Sequence, residues 1–174
     1  MKLIKACLIA TTLATPVAAQ QNLPFEFGAD AGAFHISFSP GASFSELDFP
    51  VRSLRMAMPI DPKFAVEPRL GLTHVSGDGG SATSYSLDVG LLVEFSDRRA
   101  PQRWYLRPFL GYDHARNGAG NAGQTSIGLG GGLRAPVSDR IAMRFEAEYR
   151  HLFERRGVSG NSIGLLAGFS VFTH

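Results

Sequence analysis

Apolar and polar residues alternate with a period of two over eight stretches of the chain. They span residues 25–38, 52–60, 64–75, 85–95, 104–115, 125–136, 141–153 and 162–173. Successive side chains of a strand point to opposite faces, so this period predicts strands, while helical periodicity is weak. In the third stretch, Phe64, Val66, Pro68, Leu70 and Leu72 fall on one face, with Ala65, Glu67, Arg69, Gly71 and Thr73 on the other. The seventh repeats the division, with Ile141, Met143, Phe145, Ala147 and Tyr149 against Arg144, Glu146, Glu148 and Arg150.

The connections predict how the strands are arranged. Asp61-Pro62-Lys63 and Val137-Ser138-Asp139 are short, and 96–103 is a little longer. The segments 39–51, 76–84, 116–124 and 154–161 are Gly-rich and polar and read as longer loops. Short turns on one side and longer loops on the other are the pattern of a bacterial outer-membrane barrel, and strands near ten residues cross its hydrocarbon layer when tilted. The fold expected is all-β: an eight-stranded antiparallel up-and-down transmembrane β-barrel.

The character of the two faces orients the barrel. With eight strands, the interior has room only for side chains. Gly90, Gly111, Gly128, Gly130 and Gly132 suit a crowded interior, and the bulky Leu, Phe and Met residues suit lipid. A soluble lipocalin-like barrel would be turned the other way. Phe95 and Trp104 near one end, and Tyr85, Tyr112, Tyr149 and Phe153 near the other, match interfacial girdles.

The inward face then collects Glu26, Asp30, Arg55, Glu67, Arg69, Asp88, Glu94, Arg107, Asp113, Arg134, Arg144, Glu146, Glu148 and Arg150. Buried charges must pair and hydrogen-bond. The residues expected to form a structural polar network are Glu67, Arg69, Asp88, Arg107, Arg134, Arg144, Glu146, Glu148 and Arg150. Glu67, Arg69, Arg107, Arg144 and Glu146 lie nearest mid-strand and would close the centre. The alternative is a gate, proton path or narrow small-solute channel.

The first residues change the picture of where the chain goes. Lys2 and Lys5, an apolar run from Ala6 to Leu13, Pro16 and then Val17-Ala18-Ala19 describe a secretory signal peptide. Residues 1–19 are read as that leader and 20–174 as the barrel. The single cysteine, Cys7, falls within the leader, so the remainder offers neither disulfide nor thiolate. Without Lys2 and Lys5 there are 15 basic and 15 acidic residues, a balance that gives no footprint for nucleic acid. Of the remaining bases only Lys63 is lysine, against 14 arginines. The planar guanidinium tolerates burial in ion pairs better than an ammonium.

The whole chain after the leader resembles the small outer-membrane β-barrel superfamily, the OmpA-type and opacity-type barrels. The resemblance rests on the strand count, the phrases from Phe64 to Leu72 and from Arg144 to Arg150, and the Gly-rich last strand. It implies a monomer in the bacterial outer membrane with periplasmic termini, in contact with outer-membrane lipids and lipopolysaccharide and inserted by the barrel-assembly machinery. Such barrels usually end on an aromatic residue. This chain ends Phe172-Thr173-His174, and its last apolar ladder (Ile163, Leu165, Ala167, Phe169, Val171) is out of phase with Phe172.

Candidate chemistry is sparse. The glycines of Gly118-Ala119-Gly120-Asn121-Ala122-Gly123 match a dinucleotide pattern but link two antiparallel strands, where no helix opens to receive a phosphate. His35, His74, His114 and His151 all fall near the longer-loop ends, and carrying the alternation forward points all four outward. Lipid A deacylases are similar in one respect, as eight-stranded barrels whose catalytic His, Ser and Glu lie on the lipid-facing wall. Their His-x-Ser motif is matched by His35-Ile36-Ser37, on the first strand, and no acid on that face orients a histidine. No metal or cofactor site is expected. The function expected is structural or surface-interacting, with no open pore. Contact would run through the extracellular loops, chiefly 39–51 with Phe44, Leu47 and Phe49.

Overall fold

A computed structural model describes residues 24–39, 42–48, 53–77, 80–96, 100, 102–117, 120–155 and 158–173. The expected leader, residues 1–19, and the terminal His174 lie outside them. Nine strands appear among the described residues: β1 (Glu26–Ser39), β2 (Ala42–Asp48), β3 (Ser53–Pro59), β4 (Phe64–Gly77), β5 (Gly80–Glu94), β6 (Arg103–Asn117), β7 (Gly120–Pro136), β8 (Ile141–Arg155) and β9 (Val158–Phe172).

Every pairing is antiparallel and joins chain neighbours, apart from β1 with β3 and the β1–β9 pairing that closes the sheet. The result is an eight-walled barrel, because β2 and β3 both pair with the same edge of β1 and together make the second wall. Closure matters physically: bilayer hydrocarbon offers no water to backbone N–H and C=O groups, so a spanning sheet must pair its own edges.

The alternation sets the two faces. Along β8 the even positions 142–150 are buried and the odd positions 141–149 exposed. The exposed row of the barrel is apolar: Leu70, Leu72, Leu87, Val89, Leu110, Ile127, Leu129, Met143, Phe145, Ile163 and Leu165 all belong to it. Pro68 and Pro108, which lack an N–H, sit where pairing lapses. The β3–β4 register skips from Arg55↔Arg69 to Met58↔Val66, and the β5–β6 register from Gly90↔Phe109 to Val93↔Leu106.

The end nearest the chain termini is held by tight turns. Asp61 caps one, its carboxylate accepting from Lys63 N at 2.6 Å and Phe64 N at 2.9 Å. Val137 N donates to Ile141 O at 2.8 Å in another. The first and last strands are tied by Thr173 N to Phe25 O at 2.9 Å.

The opposite end departs from the sequence reading. The pairs Ser39↔Ala42, Gly77↔Gly80, Asn117↔Gly120 and Arg155↔Val158 leave only two residues between successive strands. The four longer loops are therefore hairpins, and most of the expected 39–51 loop is β2; positions 40–41 and 49–51, with Phe49, lie outside the described residues. The physical reason is that these strand ends rise past the apolar band. With no lipid on one side, their Gly, Ser, Thr and Asn residues lose the alternation while the backbone ladder continues. The Asp78-Gly79 pair is a strong two-residue turn signal that composition alone obscures.

Candidate functional site

The inner rows of β1 and β3–β9 meet along the barrel axis, and their charges form a continuous column. At its centre is Glu146 of β8. One carboxylate oxygen accepts from Arg69 Nη2 at 3.0 Å, Arg107 Nη2 at 3.0 Å and Arg107 Nε at 3.1 Å. The other accepts from Tyr105 Oη at 2.8 Å and Arg144 Nη2 at 2.6 Å. Glu67 receives a two-pronged bond from Arg144, with Arg107 Nε 3.5 Å and Arg69 Nη2 3.6 Å away. Glu148 accepts from Arg69 at 3.3 Å and Arg107 at 3.4 Å. Glu67 and Arg107 are wholly buried.

Toward the termini end, Arg134 pairs with Glu94 and, at 2.5 Å, with Glu26. Glu26 also accepts from Ser170 Oγ. Arg55 pairs with Asp30 and donates to Ser170 Oγ at 2.8 Å and Phe169 O at 3.0 Å. Toward the hairpin end, Arg150 spans Asp88 at 2.7 Å and Asp113 at 3.0 Å, beside Ser126.

Two aromatic rings separate these layers. Tyr105 lies between the guanidinium groups of Arg134, 5.4 Å from its ring centre, and Arg144, 4.4 Å away. Phe109 lies between Arg107 at 4.4 Å and Arg150 at 4.9 Å. A cation over an aromatic face is attracted by the ring quadrupole, the more so without water. The β6 inner row thus reads Arg103, Tyr105, Arg107, Phe109, a column of alternating charge and ring.

The glycines make this filling possible. A Cβ at Gly130 would lie 2.7 Å from Glu146 Oε1, and one at Gly90 would lie 2.8 Å from Arg107 Cγ. Filling is not perfect satisfaction: Arg107 Nη1, Asp88 Oδ1 and the Nε atoms of Arg55, Arg69 and Arg134 are buried without a hydrogen bond. At the termini end the column opens into a mouth of about 360 Å³, lined by Glu94, Arg103, Arg134, Arg140 and Phe172 among others.

The structure brings all nine expected network residues into the column. It adds Arg103, 3.7 Å from Glu94, and the inner-row aromatics Tyr105 and Phe109. Beginning the fifth stretch at Trp104 omits Arg103, and aromatics read as lipid-facing hide Tyr105 and Phe109; their shared odd parity with Arg107 is the signal that places them inside. Phe172, off the last ladder, turns to the mouth, where Arg103 lies 5.4 Å over its ring.

The histidines divide. Tyr85 and His114 stack on the outer face, ring centres 4.7 Å apart, near exposed Tyr112. His151 Nδ1 is 2.8 Å from Asn161 Oδ1, which also accepts the Tyr149 hydroxyl at 2.7 Å. His74 falls on β4; its side chain lies outside the described residues. The side chain of His35, expected outward, likewise lies outside the described residues, but the backbone register of its position departs from the expected alternation. A bulge between Asp30 and Gly32 shifts the β1 register, so position 35 pairs with Gly164 in a buried row, while Phe34 and Ile36 pair with Leu165 and Ile163 on the outer face. Positions 35 and 37 therefore share the register of buried Gly164 and Ser162, and only Ile36 falls on the lipid-facing one.

A closed antiparallel barrel, apolar outside and ion-paired within, is a transmembrane barrel of the outer-membrane kind. The family model for the outer membrane protein beta-barrel domain matches residues 6–170, and the chain belongs to that family. Its place is the bacterial outer membrane. No curated protein sequence matches it. Among solved structures it is similar to Neisserial surface protein A, at 20% identity, covering 84% of this chain and 96% of that one, with a TM-score of 0.64. It is similar to OprG from Pseudomonas aeruginosa, at 10% identity, 87% and 97% coverage and a TM-score of 0.54. It is also similar to Ail of Yersinia pestis, solved with the heparin analogue sucrose octasulfate, at 15% identity, 85% and 99% coverage and a TM-score of 0.52. At these identities the likeness is one of fold.

Proposed function

We propose that this chain is a closed, non-enzymatic outer-membrane barrel that acts as a monomeric scaffold at the cell surface. The observation that carries the reading is the ion-paired column around Glu146, interleaved with Tyr105 and Phe109. Eight strands enclose little more than their own side chains, and here those side chains bond one another across the axis. A permeating ion would have to displace buried arginine–carboxylate bonds, each partner of which is costly to leave alone.

In this reading residues 1–19 are a leader removed after Ala19, the barrel-assembly machinery inserts the remainder, and the termini face the periplasm. The four hairpins then face outward. The Tyr85–His114 stack and the Tyr149–Asn161–His151 cluster lie at the outer girdle, where rings and imidazoles suit the sugars and phosphates of lipopolysaccharide. Surface contact would run along hairpin walls and edges instead of long loops.

Planar-bilayer recording tests the closed column. The refolded protein should insert without stepwise current. Reproducible steps in symmetric potassium chloride would make the interior a small-solute channel and overturn the reading.

A further inference from the structure

The outer row near the hairpin end is polar on one side of the barrel. Tyr85 of β5 stacks on His114 of β6, with ring centres 4.7 Å and planes 18° apart. Tyr112, one outer position lower on β6, lies 6.4 Å from the same imidazole. Further round, Tyr149 and His151 of β8 share Asn161 of β9. At this end the described outer-row side chains of β1 and β4 are instead apolar, among them exposed Phe34, Phe38 and Leu72. An interfacial girdle alone runs all the way round a barrel; this patch is confined to the β5–β9 side.

Arg116 caps the patch. The register of β6 against β7 is unbroken from Arg103 to Asn117, which keeps Arg116 in the outer row, one position above His114. It is exposed and pairs across the sheet with Thr83. Among the described outer-row side chains it is the one permanent charge, and none is an acid. A fixed cation thus stands on a ring stack at the edge of the apolar band.

We propose that Arg116 and His114, backed by the Tyr85 ring, bind the phosphate of a phosphorylated glycolipid in the outer leaflet. The inference deepens, and rests on, the reading that the hairpin end faces outside against lipopolysaccharide. A guanidinium fork matches phosphate oxygens two at a time, and basic groups beside membrane spans take anionic headgroups in this way. The Tyr149–Asn161–His151 cluster then meets the sugar. The amide oxygen of Asn161 only accepts, so His151 Nδ1 carries the proton and Nε2 of the neutral ring is left to accept from a sugar hydroxyl. Strands β6 and β8 run about 10 Å apart, two strand spacings, a reach that a phosphorylated disaccharide spans. Tyr112 stands directly above exposed Leu110, so the patch is continuous with the apolar band. A lipid covers both; a soluble acidic protein segment would reach only the cation.

The test uses the whole barrel in phosphatidylcholine nanodiscs doped with lipid A, and native mass spectrometry counts the lipid held by each barrel. The probes are bisphosphorylated lipid A and the same lipid stripped of phosphate. One phosphorylated lipid should stay bound per barrel. The stripped lipid should bind about tenfold more weakly, for the loss of one charge-assisted contact. The double variant Arg116→Gln/His114→Gln should erase that preference. Arg140→Gln, an exposed arginine at the termini end, should leave it intact. Asn161→Ala, which frees the His151 ring, should weaken both lipids alike.

Equal retention of the two lipids would overturn the proposal, as would a preference that survives Arg116→Gln/His114→Gln. Full displacement by water-soluble glucosamine 1-phosphate would also overturn it, giving the patch to a free phosphosugar. Stepwise bilayer current with the lipid preference intact would sink the closed-scaffold reading alone.

Discussion

Strand β8 places two chemistries on alternate residues. Arg144, Glu146, Glu148 and Arg150 are buried on one side, and Ile141, Met143, Phe145 and Tyr149 are exposed on the other. In water the second row would be the core. Here both rows are solvated by something other than water: the outer by hydrocarbon, the inner by each other. The difference teaches what each row can tolerate. The outer row requires only apolarity, because fluid lipid adapts to any shape. The inner row requires specific partners, because a guanidinium there has no substitute for its carboxylate.

The comparison breaks most severely at the centre of the inner row. Glu146→Ala removes one acceptor group shared by Arg69, Arg107 and Arg144. Stranding a buried charge costs about 3–5 kcal/mol, and here three cations lose a partner. Urea titration of the barrel in lipid vesicles should show a loss of at least that order. A loss below about 1 kcal/mol would mean that water enters the column and solvates the arginines, which would also undercut the closed interior.

The outer row breaks next. Leu110→Arg puts a cation on the lipid face of β6, where Leu110 is among the most exposed apolar residues. The cost should be about 2–4 kcal/mol, near the bilayer midplane value. In detergent micelles, whose thin apolar layer lets the side chain reach water, the loss should shrink. Equal losses in micelle and bilayer would show that position 110 does not face lipid.

How far the sequence reveals this arrangement differs between the faces and the pairings. Wherever lipid lies on one side, parity suffices: Leu87, Val89 and Leu91 against Asp88 and Gly90 need no structure to be sorted. Parity fails where the backbone slips, as at the Asp30–Gly32 bulge, which turns position 35 to the other row. It also fades beyond the apolar band, so the upper ends of β4 and β5 read as loop although Gly77 and Gly80 pair. Which arginine meets which acid is not local information at all. Arg69 and Glu146 are 77 residues apart and meet across the axis. The candidate column is thus visible in outline as a set of inward charges. Its layering by Tyr105 and Phe109 comes from register.

The finest test of the two rows uses adjacent glycines of β7. Gly130 lies in the inner row, opposite Arg107 and Glu148, and Gly131 lies in the outer row, opposite Leu106 and Ala147. A Cβ at Gly130 would come within 2.7 Å of Glu146 Oε1, whereas the nearest atom to one at Gly131 is Leu106 Cδ2 at 3.2 Å. The same added methyl therefore pushes on a carboxylate held by four donor groups in one case, and on a lipid-facing leucine free to swing away in the other. Gly130→Ala should cost about 1–3 kcal/mol, the range for overpacking a filled interior. Gly131→Ala should fall near zero or stabilise by up to about 1 kcal/mol, because alanine restricts the unfolded chain more than glycine does. Similar losses at both positions in the same urea titration would mean that backbone strain, and not the packed column, is what these glycines relieve.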